Sequence, residues 1–426
     1  MVCSLTFHAH RPRLSPGNRH PCVYIKWTPR CSGTANPTSA TAATTPAPTA
    51  TDVAPDPLDP YEHGTPAPAT HPAPPNLDTH HVSVVATHVD DVFAISSDDP
   101  LSTPSGSSMT TQLFDALHDK YELTRDDAGT MYCGCRFRDH PDGSVTVDQN
   151  VFVQDLLDRA DLGARGSGPR MTSPLKNGTR LRPARSAEAD EPGNIQARTF
   201  PYRRHAASHL YHACMTRPGD SFAAAKLCRY MSAHDQHHVA AMRHFTGYLR
   251  DNPEQHLRYA RPATGVPVQL HGSSDASLGD EYDGRTTIGF ALFVAGAAVE
   301  WKTGIARQLA VGTPHAEYIA ASELARSAVV IATFLGEFGF PQGPVPLHID
   351  NIPAQTLAES IAPTPLSRYV AQRYHYLRHA VHVERSVRLI GVGSKDQDAD
   401  GLTKVLIGNA FRRSTDRLTG VDPRTL

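Results

Sequence analysis

Four acidic residues in the C-terminal part of the chain have types and positions suited to metal-assisted phosphodiester chemistry. They lie at the ends of predicted strands or in the first turns of predicted helices: Asp275, Glu317, Asp350 and Asp400. Carboxylates at such positions can converge on one edge of a sheet, where hard oxygen ligands suit Mg²⁺ or Mn²⁺. Two such ions about 4 Å apart stabilise the attacking and the leaving oxygen of a phosphodiester displacement. Taken singly, each acid is more often a helix cap or a surface charge, so spacing alone leaves both interpretations open.

Two further carboxylates, Asp90 and Asp91, are adjacent within THVDDVFAIS (87–96), a stretch that otherwise alternates like a buried strand. Adjacent carboxylates repel one another and cost free energy when they are desolvated. The pair must therefore face solvent, a basic partner or a metal ion.

The four C-terminal acids need a sheet that brings strand ends and helix starts together. From about residue 267 the sequence has four strand candidates in close succession: VPVQLHGSSDAS, TTIGFALFVAG, AAVEWKT and RQLAV. A long helix follows, with Thr313 suited to the N-cap and Pro314 to the first helical position. Strands and helices then alternate: a strand at 345–350, helices at 353–360 and around 367–383, a strand at 386–393 and a helix from about 398. This order predicts an α/β domain with a mixed sheet covered by helices.

The acidic pair lies in a region that predicts a β-hairpin with a very long turn. The strand-like CVYIKW (22–27) is separated from HVSVVATHVDDVFAIS by residues 32–79, which are rich in Pro, Thr and Ala. Such a composition cannot bury enough apolar surface to offset its ordering entropy, so this insert should be disordered or extended. Loop-closure entropy grows only logarithmically with length, which makes the insertion tolerable.

The middle of the chain predicts short alternating elements. In order these are a helix at 109–123, two strands joined by a Pro-Asp-Gly turn within 130–149, a helix at 151–163 and two helical patterns within 205–250. Residues 155–204 hold ten Lys or Arg against six Asp or Glu. This positive excess is readable either as a phosphate-contacting surface or as a solvated linker.

Composition argues against several classes of protein. The 426 residues carry a net charge of −2 and seven cysteines without a Cys-x-x-Cys pair, which argues against a zinc module or a disulfide scaffold. The cysteine pattern favours a reducing, intracellular compartment, cytoplasmic or nuclear. There is no apolar signal-peptide region after the N-terminal arginines and no run of about 18 apolar residues, so we expect neither secretion nor a membrane partner.

The C-terminal motifs resemble the ribonuclease H domain of copia-type LTR-retrotransposon Pol polyproteins. The similar stretches are SSDASLGD, RTTIGFALFVAGAAVEWKT, AEYIAASELA, PLHIDN, RYHYLRH and KDQDADGLTK. The resemblance implies that the four acids bind Mg²⁺ or Mn²⁺ and cut the RNA strand of an RNA–DNA hybrid by activating water. An RNA–DNA hybrid or another nucleic acid is then the expected partner, whereas the oligomeric state is not indicated.

The N-terminal motifs resemble the reverse transcriptase of the same family. HVDDVFAIS is similar to the Tyr-Val-Asp-Asp hairpin of its palm, and HPCVYIKW is similar to the strand that pairs with this hairpin. MYCGCRFRDHPDGSVTVDQNVFVQDLLDRADL is similar to the primer grip and thumb, and residues 201–232 are similar to the connection. The resemblance implies that Asp90 and Asp91 face divalent metal and a nucleoside triphosphate.

The family's palm uses a third aspartate on an earlier strand, and this chain lacks it. The residues before HPCVYIKW include no Asp or Glu, and His88 replaces the family's Tyr. An incomplete carboxylate set should bind Mg²⁺ poorly. We therefore predict that this chain alone does not polymerise DNA.

Together these patterns predict a multi-domain α+β and α/β chain, in which a partial reverse-transcriptase palm and thumb precede a ribonuclease H-like mixed sheet with helices. The predicted segments are an N-terminal palm fragment (1–31), a disordered insert (32–79), a partial palm and thumb (80–175), a linker and helical connection (176–265), a ribonuclease H-like domain (266–410) and a C-terminal tail (411–426). Two functions stay open: a Mg²⁺-dependent ribonuclease H, or a catalytically dead transposon relic that at most binds nucleic acid. An unrelated α/β domain would require the joint motif match to be accidental.

Overall fold

A computed structural model of the protein describes most of the chain after residue 80 and two short segments before it. The described residues are 2–7, 22–29, 80–88, 91–97, 108–121, 123–126, 130–160, 169–185, 191–360, 370 and 372–421. The insert predicted to be disordered, 32–79, lies outside these ranges. Within them the chain forms a mixed α/β structure with three sheets and ten α-helices.

The first sheet consists of five antiparallel strands: β1 (Val2–Phe7), β2 (Cys22–Pro29), β3 (His80–His88), β4 (Asp91–Ser96) and β5 (Leu123–Asp126). Their order across the sheet is β2-β3-β4-β1-β5. The predicted hairpin is confirmed as the β2–β3 pair, with Cys22 opposite Thr87. Helix α1 (Met109–His118) covers β4 and buries Phe114 against Val92 and Ala94.

The second sheet has four antiparallel strands in chain order: β6 (Met131–Tyr132), β7 (Cys135–Asp139), β8 (Val145–Asp148) and β9 (His256–Tyr259). The predicted Pro-Asp-Gly turn joins β7 to β8. Gly143 in this turn has a φ of +77°, a left-handed conformation that glycine adopts without strain. Because β9 follows a long helical segment, its pairing with β8 brings the two ends of that segment together.

The helical segment contains five helices: α2 (Asn150–Arg159), α3 (Pro192–Thr199), α4 (Tyr202–Met215), α5 (Ser221–Cys228) and α6 (Gln236–Asp251). Three of them occupy the range for which two helical patterns are predicted. The extra break falls at Pro218, which opens a 3₁₀ turn between α4 and α5 because proline has no N–H to donate. Buried side chains such as Tyr202, Phe222 and Phe245 form the core of this segment, and Phe411 from the C-terminal end of the chain joins them.

The four predicted C-terminal acids lie in the third sheet or next to it. Its strands are β10 (His271–Ser277), β11 (Thr287–Val294), β12 (Ala297–Ile305), β13 (Val345–Ile349) and β14 (Val387–Gly391), in the order β12-β11-β10-β13-β14. β10, β11 and β12 are antiparallel neighbours, whereas β13 and β14 run parallel to β10. Helices α7 (Thr313–Glu337), α8 (Ile352–Glu359) and α9 (Tyr376–His382) pack on it. The prediction of a mixed sheet covered by helices is confirmed.

Several predicted boundaries in this region are wrong. RQLAV (307–311) forms no strand: Leu309 and Val311 are exposed, and the segment leaves the sheet edge to reach α7. Helix α7 starts one residue earlier than predicted, because Gly312 is the N-cap and Thr313 is the first helical residue. The Nδ1 atom of His315, and not the Thr313 side chain, accepts a hydrogen bond at this end from the Val311 N–H.

The predicted last helix and C-terminal tail also differ from the structure. A 3₁₀ turn spans Asp400–Leu402, and α10 (Gly408–Thr419) follows after a break. α10 buries Phe411 and Leu418, so most of the segment predicted as a tail is packed against the rest of the protein. Packing decides this, because two apolar side chains in a polar helix give a weak sequence signal.

Among the described residues, one helix meets the length and hydropathy of a membrane span. This is α7, whose most apolar 18-residue stretch has a mean hydropathy of 1.5. Its first half is buried against the third sheet through Ala316, Ile319, Ala320 and Leu324. Core packing therefore accounts for the apolar character of this half.

Candidate metal centre

Asp275 and Asp350 are brought side by side by the register of two parallel strands. In β10 and β13, Gly272 lies opposite Leu347 and Ser273 lies opposite His348. Continuing this register by two residues places Asp275 beside Asp350, which follows β13 directly. Side chains two residues apart in a strand point to the same face. Asp275 lies inside β10, whereas the sequence pattern puts it at the end of a strand.

Glu317 reaches these two aspartates because α7 packs very closely on β10. A Cβ atom at Gly272 would lie 2.8 Å from Leu324 Cδ1, so the glycine leaves the space that the helix needs. One carboxylate oxygen from each of Asp275, Glu317 and Asp350 lies within 4.8 Å of the other two. Three of the four acids singled out in the C-terminal sequence thus form one cluster.

Asp400, the fourth acid, is linked to the cluster by Lys404, which contacts both Asp400 and Asp275. The Nζ atom of Lys404 lies 2.8 Å from Asp400 Oδ1 and 3.5 Å from Asp275 Oδ2. The hydroxyl of Thr403 also donates a hydrogen bond to Asp275 Oδ2. On the other side, the Ser394 hydroxyl donates to Asp350 Oδ2 at 3.3 Å.

A strand glycine positions the segment that carries Lys404. Gly289 in β11 lies opposite Asp275. A Cβ atom there would lie 2.7 Å from Leu402 Cβ and 2.9 Å from Thr403 Cγ2. Only glycine therefore lets Leu402 and Thr403 lie on the strand at this point, where Thr403 meets Asp275.

The electrostatics of the cluster favour a bound cation. Burial and the nearby carboxylates of Asp275 and Asp350 raise the pKa of Glu317 to about 9. Burial also raises the pKa of Asp275, although Lys404 and Thr403 oppose the rise. Burial lowers the pKa of Lys404, but the carboxylates around it, led by Asp275, raise it by more. Each of these shifts reflects crowded negative charge in a poorly hydrated place.

The residues present fit a divalent metal ion. Glu317 Oε2 is buried and has no hydrogen-bond partner, a state that costs free energy unless a cation or donor meets the atom. The donor atoms are carboxylate oxygens, the ligands that Mg²⁺ and Mn²⁺ prefer. Among the described residues, no other group of three acidic, His or Cys side chains comes as close together.

The acidic pair near the N-terminus stands apart from this centre. Asp90 lies outside the described residues. Asp91 begins β4, opposite His88 of β3 and Thr6 of β1. Asp91 is not a member of the described acidic cluster.

The sequence analysis missed Gly289, Thr403 and Lys404. The signal for Gly289 is a lone glycine inside an apolar strand, which often marks a close approach of backbone. Thr403 and Lys404 directly follow the turn that Asp400 opens, and they are part of the stretch KDQDADGLTK. Nothing in the chain's local pattern shows that these two side chains reach Asp275.

Comparisons with known proteins give distant relatives. No family model matches the chain. It is 25% identical over 276 residues, 64% of its length, to the retrovirus-related Pol polyprotein from transposon TNT 1-94 of Nicotiana tabacum. It is 25% identical over 328 residues, 75% of its length, to the corresponding polyprotein from transposon RE2 of Arabidopsis thaliana. The chain covers 20% and 21% of these two relatives, about a fifth of their length.

One solved structure matches part of this chain. It is a ribonuclease H1 isolated from compost by a metagenomic approach, with 13% identity and a TM-score of 0.25. The match covers 35% of this chain and 96% of that one. A TM-score this low carries no argument about the fold.

Proposed function

Because the chain is related to the Pol polyproteins of copia-type retrotransposons, we propose that it is a fragment of such a polyprotein with a divalent-metal-dependent ribonuclease H in its C-terminal part. The proposed substrate is the RNA strand of an RNA–DNA hybrid. The observation that carries the proposal is the convergence of Asp275, Glu317 and Asp350, which are 33 or more residues apart in sequence, to within 4.8 Å. The sequence motifs single out the same three residues.

The chemistry follows from the positions of the chain's own groups. Asp275, Glu317 and Asp350 would hold divalent metal, and Asp400 would complete the set on the Lys404 side. Bound metal would supply an activated water and charge stabilisation at the scissile phosphate. Thr403 holds the Asp275 carboxylate by a hydrogen bond, and Ser394 does the same for Asp350. These bonds fix the ligand oxygens before any ion binds, which lowers the cost of forming the site.

The test is cleavage of a labelled RNA–DNA hybrid by the purified chain with titrated Mg²⁺. We expect Asp350→Asn to reduce cleavage by about 10²-fold or more, since one anionic ligand is lost while the side-chain size is kept. The matched control is Asp155→Asn, which changes an exposed aspartate on α2. Equal cleavage by wild type and Asp350→Asn, with an active wild type, would rule out this centre as the site of reaction.

The N-terminal sheet supports the prediction that the chain does not polymerise DNA. One of the two strands that flank β4 is β1, and it has no acidic residue; Thr6 of β1 is opposite Asp91. No carboxylate on that strand can therefore complete a metal site with Asp90 and Asp91. Robust Mg²⁺-dependent primer extension on a homopolymer template would overturn this proposal.

The second candidate function is a non-catalytic relic that binds nucleic acid, and one observation favours it. Lys404 already neutralises part of the acidic cluster without any metal. A relic would bind the hybrid in a salt-sensitive manner that Asp350→Asn does not change, and it would cleave nothing. Hybrid binding measured by fluorescence anisotropy alongside cleavage separates the two candidates.

A further inference from the structure

We propose that Lys404 is an internal cation that occupies one ion position of the acidic cluster and that divalent metal must displace. This inference rests on the proposed function, because it assumes that the cluster binds metal. It assigns a role to a residue outside the set of acidic ligands. The role is competition for the site, which sets how much metal the protein needs.

The position of the ammonium group is the first argument. Lys404 Nζ lies between Asp400 Oδ1 and Asp275 Oδ2, at 2.8 Å and 3.5 Å. Asp275 is also a member of the cluster with Glu317 and Asp350. The Asp275 carboxylate thus lies close to an ammonium group as well as to two carboxylates.

The unequal distribution of positive charge is the second argument. Among the ion pairs of the described residues, none is made by Glu317 or Asp350, and Glu317 Oε2 is buried without a hydrogen-bond partner. The position next to these two acids is therefore open to a cation, whereas the position between Asp275 and Asp400 is already filled by one. A metal ion entering the first position needs no displacement, but an ion entering the second must move the ammonium group.

The ammonium group of Lys404 can move while neighbouring contacts hold the backbone that carries it. The side chain of Lys404 is 42% exposed, so its flexible stem can turn towards solvent. The preceding backbone is held by a hydrogen bond from the Thr303 hydroxyl to the Leu402 carbonyl at 2.8 Å. The following residues, Val405 and Leu406, pack against the core of the helical segment. Displacement is therefore a side-chain rotation and leaves the ligands where they are.

The experiment measures metal binding directly on the full chain. Metal-free wild type, Lys404→Met and Lys404→Gln are titrated with Mn²⁺, and free Mn²⁺ is followed by electron paramagnetic resonance. We expect both variants to lower the dissociation constant of the more weakly bound ion by about tenfold, because a competing charge has been removed. The matched control is Lys302→Met, which removes a lysine that pairs with Glu323 outside the cluster and should leave Mn²⁺ binding unchanged.

A second readout separates charge competition from loss of structure. Without metal, both Lys404 variants should have a lower melting temperature than wild type, since the buried Asp275 carboxylate loses its cation. Saturating Mn²⁺ should close this gap. A variant pair that folds but binds Mn²⁺ with unchanged or weaker affinity overturns the inference.

The failures of the two proposals are distinguishable. If wild type binds Mn²⁺ and cleaves the hybrid but the Lys404 variants bind Mn²⁺ no more tightly, only the competition role is wrong. If neither wild type nor the variants bind Mn²⁺, the acidic cluster is not a metal centre and the proposed function fails with it. If Lys404→Met does not fold, Lys404→Gln keeps a polar side chain of similar length and decides the result.

Discussion

At the residue scale, the cluster holds three carboxyl groups close together in a poorly hydrated environment. Glu317 is buried next to Asp275 and Asp350, and this raises its pKa to about 9 from an ordinary value near 4.5. At neutral pH without metal, Glu317 therefore holds a proton. Metal binding must release that proton, which couples ion affinity to pH.

This coupling predicts how stability depends on pH. The folded state binds the Glu317 proton more tightly than the unfolded state does, so its contribution to stability is full below about pH 4.5 and is lost as pH rises towards 9. We expect Glu317→Gln to remove this part of the fall in unfolding free energy with rising pH. The measurement is urea unfolding of wild type and variant in EDTA from pH 5 to 9, with Glu359→Gln on the exposed face of α8 as control. Parallel pH profiles for wild type and Glu317→Gln would contradict the prediction.

At the element scale, two glycines in neighbouring strands set the geometry of the centre. Gly272 in β10 admits α7, and Gly289 in β11 admits the segment of Leu402 and Thr403. Neither has a left-handed backbone, so both are required for space and not for conformation. Because these two glycines have no side chain, the helix that carries Glu317 and the segment that carries Lys404 can pack directly on the strands.

Gly289→Ala should therefore change the geometry of the metal centre, although Gly289 is not one of its ligands. The added methyl group would meet Leu402 and Thr403 closer than 3 Å, and overpacking of this kind costs about 1–3 kcal/mol. We expect both a lower unfolding free energy and a loss of hybrid cleavage, because Thr403 and Lys404 shift relative to Asp275. Gly304→Ala is the matched control: its methyl group would lie 3.9 Å from Lys302 Cε, an ordinary contact. Cleavage by Gly289→Ala at the wild-type rate would refute this positioning.

At the scale of the whole molecule, the helical segment and the third sheet pack against each other. α10 buries Phe411 in the helical core and Leu418 against the sheet, next to Phe293. The indole N–H of Trp301 in β12 donates to the Ala213 carbonyl at 2.9 Å. The boundaries predicted at 266 and 410 therefore separate segments that pack together.

This packing predicts that one substitution in α10 destabilises both parts. Phe411→Ala removes a buried ring that contacts Tyr248 edge-on at 5.8 Å, and such a change costs about 3–5 kcal/mol. We expect the helical segment and the third sheet to melt together at one temperature, lower than that of wild type. Circular dichroism with near-ultraviolet detection gives the transition, and Ile407→Ala, at an exposed position, serves as control. Two separate transitions in the variant would show that the parts fold independently.

Much of the candidate centre can be predicted from sequence because its residues belong to strongly patterned elements. The strands of the third sheet are apolar and are closed by turns, and α7 has a proline near its start, so the elements that carry Asp275, Glu317 and Asp350 follow from local rules. Local rules do not predict the register of β10 and β13 or the contact of Lys404 with Asp275, because both depend on contacts between residues far apart in sequence.

The sequence by itself determined the mixed α/β character and the long helix, since these depend on side-chain type and short-range periodicity. It singled out the acids through the resemblance of their motifs to a known family. The tertiary structure alone decided that α10 is packed rather than a tail, that Gly289 makes room for Thr403, and that an ammonium group lies between two of the acids. Each of these is a question of which surfaces meet, and no local pattern specifies the partner surface.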